Sequence, residues 1–277
     1  MPESNPYFEF MRRQKFRVWN ARFRGMPSSG LVCPLIILPS GTIYKIGDDV
    51  TEILGITKYE RPIDTSMNGD SIGGFPTNLI SITDELNLLS YPDALSELEG
   101  KEIYISTKID GSSCTFIFNN GEFGAYSRRL QKNEGSGFPW IAANKYDIKN
   151  KMVLLNKNLA IQAECIGPKL NGNTMELKEI ETGVFRIKDL DTKQILGIVE
   201  LQSLCKQLDL PMVNVIDVCK FDKDIHTIEY FRSLADKQTW KTNGKPGEGI
   251  VIAPVIPFYS QILGKYWSVK VINQNYK

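Results

Sequence analysis

Lys108 ends an apolar, strand-like run (Ile103, Tyr104, Ile105) and directly precedes Asp110-Gly111, within the string Thr107-Lys108-Ile109-Asp110-Gly111-Ser112-Ser113. An amine held there by a rigid sheet can attack a phosphoryl group, but only as the neutral base. Free lysine has a pKa of about 10.4, so a nearby cation or partial burial must favour the neutral form before Lys108 can act. The rest of the chain should then supply carboxylates for a metal, cations for phosphate and a platform for a nucleobase. Alone the string is weak evidence: three fixed residues recur by chance in a chain this long at roughly the few-per-cent level. Its ordinary reading is a hairpin, with a type I′ or related turn at Asp110-Gly111 and a second strand over 114–118. That hairpin is the expected scaffold.

Downstream residues raise the weight of the lysine. Ser127-Arg128-Arg129 closes a strand, where two arginines can grip phosphate or simply form an exposed charged turn. Glu164 lies inside the apolar run Gln162-Ala163-Glu164-Cys165-Ile166. An unpaired carboxylate there is costly, so it faces a polar cleft or pairs with a cation. The polar loop 168–173 that follows suits the mouth of a cleft. Phe185, in Val184-Phe185-Arg186-Ile187, is either core or a face on which a purine stacks. Gly247-Glu248-Gly249-Ile250-Val251 repeats the pattern of a carboxylate entering a strand, here between glycines that permit close backbone approach. Two such carboxylates, Glu164 and Glu248, make a plausible site for a hard cation that keeps most of its waters. Lys270 sits in the alternating run Trp267-Ser268-Val269-Lys270-Val271, where it can hold a phosphate and disfavour a charge on Lys108.

The elements that must position these groups are mostly short strands. Beyond residue 100 the patterning predicts strands over 102–108, 114–119, 123–127, 158–166, 183–189, 249–254 and 267–272. It predicts helices near 138–155, at 198–208 and at 224–236, and another over 84–98 interrupted at Pro92. Residues 1–45 read as β, with extended runs over 17–24 and 31–38, and the turn-rich stretch 46–80 reads as largely linker. Many strands with a few inserted helices define an α+β fold of packed antiparallel sheets.

In this order the residues resemble the covalent nucleotidyltransferases, the superfamily of ATP-dependent ligases and mRNA capping enzymes. The matching motifs are KIDGS at 108–112, SRR at 127–129, AECIG at 163–167, VFRIKD at 184–189, EGIVI at 248–252 and WSVKVI at 267–272. Each is modest, but six in order over about 165 residues form a specific signal. Within the superfamily the chain is similar to RNA ligases that carry an N-terminal OB-fold domain. The resemblance implies a nucleotidyltransferase (ATP-grasp-like ligase) domain at 81–277. It also implies a partial OB-like β segment and linker start at 1–60, and a linker at 61–80. The chain stops soon after Lys270, leaving no room for the C-terminal OB domain of DNA ligases and capping enzymes, which favours RNA ligase.

The implied reaction uses ATP and Mg²⁺ or Mn²⁺. Lys108 takes AMP as a phosphoramidate, AMP passes to a 5′-phosphate, and a 3′-hydroxyl displaces it. The resemblance implies Lys108, Glu248 and Lys270 as catalytic residues. Thr107, Lys108, Ile109, Arg128, Glu164, Phe185, Glu248 and Lys270 would contact the nucleotide, and Glu164 and Glu248 the hydrated metal. Three departures stand out: Ser268 occupies the position of a first lysine in the last motif, Asn87 that of an arginine in Thr83-Asp84-Glu85-Leu86-Asn87, and only the last strands of the OB domain are expected. They leave open a degenerate relative that binds RNA ends without catalysis; a DNA ligase or guanylyltransferase relative is the other alternative.

Composition bounds the rest. Hydrophobic content of 42% and charged content of 23% are those of an ordinary globular protein. A net charge of +1 gives no global attraction to nucleic acid, so RNA, a hybrid or a nicked duplex must be held by local patches. One candidate is Arg12, Arg13, Lys15, Arg17, Arg22 and Arg24, interleaved with Phe16, Trp19 and Phe23; a solvated strand edge explains it equally well. Five cysteines without a Cys-x-x-Cys pair read as reduced thiols. The single His226 reads as a surface or helix-start residue. No apolar run is long enough to span a membrane, so the expectation is a cytoplasmic, soluble monomer.

Overall fold

The computed structural model describes residues 6–18, 21–23, 26–28, 31–56 and 70–276. The chain divides into two compact units, Met1–Pro62 and Ile63–Lys277.

The first unit departs from the β reading. It contains a 3-10 helix at Pro6–Gln14, an antiparallel ladder of β1 (Ala21–Phe23) with β2 (Met26–Ser28), and a 3-10 turn at Leu35–Ile37. Phe8 and Met11 are three residues apart, share a helical face, and cluster with Phe16. The apolar run at 35–38 is flanked by Pro34 and Pro39, neither of which can donate to a ladder, so it coils into a turn instead. Trp19 and Arg24 of the basic cluster, and 61–69 of the expected linker, lie outside the described residues.

The second unit runs β3 (Ser71–Gly74), β4 (Leu86–Asn87), 3-10 turns at Leu88–Ser90 and Pro92–Leu98, β5 (Glu102–Lys108), β6 (Ser112–Asn119), β7 (Glu122–Ser127) and β8 (Leu130–Lys132). It continues through α1 (Gly137–Lys145), α2 (Ile148–Leu155), β9 (Leu159–Ile166), β10 (Glu181–Asp189), α3 (Ile198–Gln207), β11 (Val215–Lys220) and α4 (Ile228–Asp236). It ends with β12 (Gly249–Pro254), β13 (Tyr259–Ser260), β14 (Lys265–Tyr266) and β15 (Val269–Ile272).

Two sheets carry the unit. One has the order β10-β9-β6-β7-β8-β3, the other β11-β5-β12-β15-β4. Every pairing in them is antiparallel except β15 with β4. Each sheet has its own core. Phe116, Phe118 and Ile161 of the first pack with Trp140, Met152 and Leu201 of α1, α2 and α3. Ile103, Ile105, Ile250, Ile252, Val269 and Val271 of the second pack with Phe231 of α4. The period of two then turns Tyr104, Ser106, Lys108, Val251 and Lys270 to the opposite face, which lines a cavity.

Four expectations are corrected. β5 and β6 are not a hairpin: they belong to different sheets, and 109–111 cross between them. Neither Asp110 nor Gly111 has the positive φ that a type I′ turn requires. Gly111 instead passes against β9 so closely that a Cβ there would lie 2.2 Å from the Cys165 carbonyl oxygen. The helix at 84–98 forms only in part: Leu86 and Asn87 pair with Val269 and Lys270, Asn87 Oδ1 accepts from the Leu89 N–H, and a 3-10 helix restarts at Pro92 and runs to Leu98. The helix at 138–155 is two helices, broken where Asp147 adopts φ 51°. His226 does precede α4, but it is buried against Phe221, Tyr230 and Phe231, its Nδ1 accepting from the Asp222 N–H. β3, within the stretch read as linker, and β11 carried no clear pattern; both are sheet edges, where alternation is weakest.

Candidate active site

Backbone register places the lysine and its carboxylates. Lys108 is the last residue of β5 and pairs with Gly249, so Glu248 comes beside it at the start of β12. Gly249 has φ +142°, and a Cβ there would lie 2.1 Å from the Val271 carbonyl oxygen; only glycine lets β12 and β15 close up at this point. Lys108 Nζ lies 2.7 Å from Glu248 Oε1, with both side chains largely buried. On the other sheet, Glu164 pairs with Ser113 of β6 and accepts a hydrogen bond from the Gly111 N–H. The crossing at 109–111 thereby brings a group from each sheet to one floor.

Burial sets the electrostatics of that floor. It raises the Glu164 carboxyl to about 7, against the pull of Lys108 and with help from Glu248 and Asp110. Burial also raises Glu248, again opposed by Lys108. Glu248 Oε2 is buried and lacks a hydrogen-bond partner. These carboxylates are short of positive charge, which fits a hydrated hard cation bound through few protein oxygens. Among the described residues no group of three or more His, Cys, Asp or Glu side chains could enclose a metal directly.

Asp110 is clamped. Its Oδ1 accepts from Asn171 Nδ2 at 3.0 Å, and its Oδ2 accepts a short hydrogen bond from the Tyr276 hydroxyl. Burial and that bond raise the Tyr276 hydroxyl to about 12. Asn171 lies in the polar loop expected at the mouth of the cleft and does line the cavity.

The cavity has a volume of about 690 Å³. Thr107, Ile109, Arg128, Phe185 and Lys270 line it together with Lys108, Glu164 and Glu248, so the residues expected to contact nucleotide or metal border one space. Phe185 reaches it through a β-bulge: the register steps from Val184–Ala163 to Arg186–Gln162, leaving Phe185 as the extra residue. Such a bulge re-aims a side chain that regular alternation would direct elsewhere. Thr107 is held by Asn214, whose carbonyl accepts from the Thr107 N–H at 2.8 Å.

Another wall of the cavity holds cations already matched by two carboxylates. Arg128 lies 3.1 Å from Asp84 Oδ2 and Lys270 lies 3.9 Å from Asp84 Oδ1. Arg186 lies 2.8 Å from Glu85 Oε1 and Lys265 lies 3.5 Å from Glu85 Oε2. Lys265 Nζ also donates to the Asp84 carbonyl at 2.7 Å. Asp84, Glu85 and Arg186 were not among the site residues expected from the sequence. Asp84 and Glu85 had their signal in the Thr-Asp-Glu motif, inside a stretch expected to be helical, and Arg186 had its signal in VFRIKD. Tyr276 had no signal at all. Ser268 is buried in the cavity wall.

A lysine backed by buried carboxylates at the junction of two sheets, facing a row of cations, defines an enzyme of the nucleotidyltransferase class. The RNA ligase family model matches residues 101–271. No match is found among curated protein sequences. Among solved structures the chain is similar to Naegleria gruberi RNA ligase with PPi, at 35% identity, covering 93% of this chain and 74% of that one, with a TM-score of 0.67. A lysine-to-alanine variant of that ligase with ATP and Mn is 32% identical, covering 99% and 82%, with a TM-score of 0.67. A lysine-to-methionine variant with AMP and Mn is 34% identical, covering 93% and 74%, with a TM-score of 0.68. The chain belongs to the RNA ligase family.

Proposed function

We propose that this RNA ligase uses ATP and a divalent metal to join a 3′-hydroxyl to a 5′-phosphate through AMP carried on Lys108. One observation carries the reading: Lys108 Nζ ends a strand 2.7 Å from Glu248, in a cavity that Arg128 and Lys270 also line. Phosphoryl-type transfer needs positioning and charge neutralisation more than covalent help from the protein, and both are on hand. The ATP and AMP complexes of the Naegleria ligase, with Mn, support the choice of nucleotide and metal.

In the first step the Lys108 Nζ–phosphorus bond forms as the bond to pyrophosphate breaks, and pyrophosphate leaves with the electron pair. Glu248 Oε1 is the nearest acceptor for the ammonium proton, and burial has already raised its carboxyl above the ordinary range. Phe185 offers the adenine a stacking face, while Lys270 and Arg128 hold phosphate oxygens. Glu164 and Glu248 hold the hydrated cation, which when bound neutralises charge on the phosphate and favours the neutral amine. The Asn171–Asp110–Tyr276 clamp fixes the turn on which Lys108 depends.

RNA is the polynucleotide implied by the family. A monomer in the cytoplasm is part of this proposal; among the described residues no helix is long and apolar enough to cross a membrane. The test is α-labelled ATP with Mg²⁺ or Mn²⁺. The wild type takes up label, and Lys108→Ala loses it completely while remaining folded. Label retained in that variant would place the nucleophile elsewhere. Binding of RNA ends without labelling, at any metal concentration, would support the non-catalytic alternative.

A further inference from the structure

We propose that the β13–β14 hairpin is a stacking ledge for a base of the RNA strand whose end enters the cavity. The inference rests on the RNA-ligase reading and adds the surface that grips the polynucleotide. In the hairpin Tyr259 pairs with Tyr266, and Ser260 with Lys265. The two tyrosine rings meet edge to face, with centroids 6.4 Å apart and planes at 76°. Tyr266 lines the cavity, whereas Tyr259 is 55% exposed, so the pair leads from the reaction space to the outside.

Single exposed apolar side chains need no explanation. This one sits in a group, with Ile256 79% exposed and Ile262 41% exposed in the same excursion between β12 and β15. The excursion is also held firmly. Glu97 accepts from the Ser260 hydroxyl and, at 2.9 Å, from the Gln261 N–H. The Trp267 indole donates to the Ala94 carbonyl at 3.0 Å, and the Trp267 N–H donates to the Phe258 carbonyl at 2.9 Å. A pre-ordered aromatic face loses little entropy when a partner covers it.

The occupant follows from continuity with the site. A strand end presented to Lys108 must have its neighbouring nucleotides outside the cavity, and Tyr259 is the exposed ring in contact with the cavity-lining Tyr266. Aromatic side chains on which bases stack, next to a cationic wall, are a sequence-tolerant way to hold single-stranded nucleic acid. Lys265, on the same hairpin, turns its ammonium inward to Asp84 and Glu85, so its charge belongs to the wall and leaves the ledge apolar.

The experiment compares Tyr259→Ala, Tyr259→Trp and the wild type, each first adenylylated and then given single-stranded RNA with a 5′-phosphate and a 3′-hydroxyl. Adenylylation with ATP alone stays within two-fold of wild type in both variants. The RNA concentration for half-maximal sealing rises about five-fold or more in Tyr259→Ala and is retained in Tyr259→Trp. Removing a single base near the join, by an abasic substitution, abolishes the difference between Tyr259→Ala and the wild type at one position only. Unchanged RNA dependence in Tyr259→Ala with normal adenylylation overturns the ledge and leaves the ligase reading intact; a wild type that takes no AMP overturns the ligase reading itself. A Tyr259→Ala effect on oligomeric state alone would give the surface to a second copy of the chain and also overturn the ledge.

Discussion

The two walls of the cavity hold their charges in different states of balance. At the floor, Glu164 and Glu248 share Lys108, and Glu248 keeps a buried oxygen with no donor. Burial has raised both carboxyls, which marks a place where negative charge is under-compensated. Along the other wall each carboxylate has two cations within 4 Å, Asp84 with Arg128 and Lys270, Glu85 with Arg186 and Lys265, although Glu85 Oε2 is, like Glu248 Oε2, buried without a hydrogen bond. The floor therefore gains from a cation, and the wall must exchange one anion for another when phosphate arrives. A nucleotide bound with a divalent metal supplies both changes at once.

Removing the floor's excess charge gives the largest expected effect. Glu164→Gln should lower adenylylation about 10–100-fold, the usual cost of losing a group that orients a metal's shell. The same variant should be more stable than wild type when nucleotide and metal are withheld. Between pH 4.5 and about 7 the folded chain keeps a proton on Glu164 that the unfolded chain has lost. This group therefore makes stability fall as pH rises through that window, with the full penalty present above about 7. The rise from 4.5 to about 7 corresponds to at most about 3 kcal/mol. Thermal melts from pH 5 to 8 should show a steeper decline in wild type than in Glu164→Gln. Divalent metal should recover part of the wild-type loss at pH 8. Parallel curves would mean the floor is not under-compensated.

The other wall should respond in the opposite direction. Glu85 and Arg186 are both nearly buried, with side chains 12% and 13% exposed. Glu85→Ala leaves that guanidinium without its partner, a change that costs about 3 kcal/mol or more. In a unit of this size the melting temperature should drop by roughly 5–10 °C. Glu85→Gln, which can still accept from Arg186, should lose clearly less. An equal loss from both variants would show that packing, not charge balance, sets the wall.

The sequence revealed the floor better than the wall, and the reason is physical. Glu164 and Glu248 interrupt apolar strands, and a carboxylate in such a run is costly enough to be visible without coordinates. Strand 249–254 was legible because it is apolar along most of its length, and 102–108 because of the short run Ile103-Tyr104-Ile105. Asp84 and Glu85 lie in a polar stretch whose local pattern favours a helix start. What makes them wall residues is the parallel pairing of β4 with β15, formed near the other end of the chain. The sheet crossing was likewise hidden, because Asp-Gly reads as a hairpin turn unless the approach of Gly111 to β9 is known. Phe185 was legible as an aromatic in a strand; the bulge that turns it to the cavity was not.

Asp84 offers the finest test of the contrast, and the smallest effect. Its side chain is 70% exposed, and its contacts with Arg128 and Lys270 are surface ion pairs, each worth little in water. A phosphate can displace it cheaply, yet it must be displaced or shifted if Arg128 and Lys270 are to hold phosphate together. Asp84→Asn keeps the shape of the side chain and removes the competing charge. The KM for ATP in lysine adenylylation should then fall about two- to five-fold at low ionic strength, with little change in the maximal rate. The advantage should shrink as salt is raised toward about 0.5 M, because screening weakens the wild-type pairs that the substitution removes. A rise in KM would instead make Asp84 a contact of the bound nucleotide, and the wall would no longer be a set of cations waiting behind an exchangeable counter-anion.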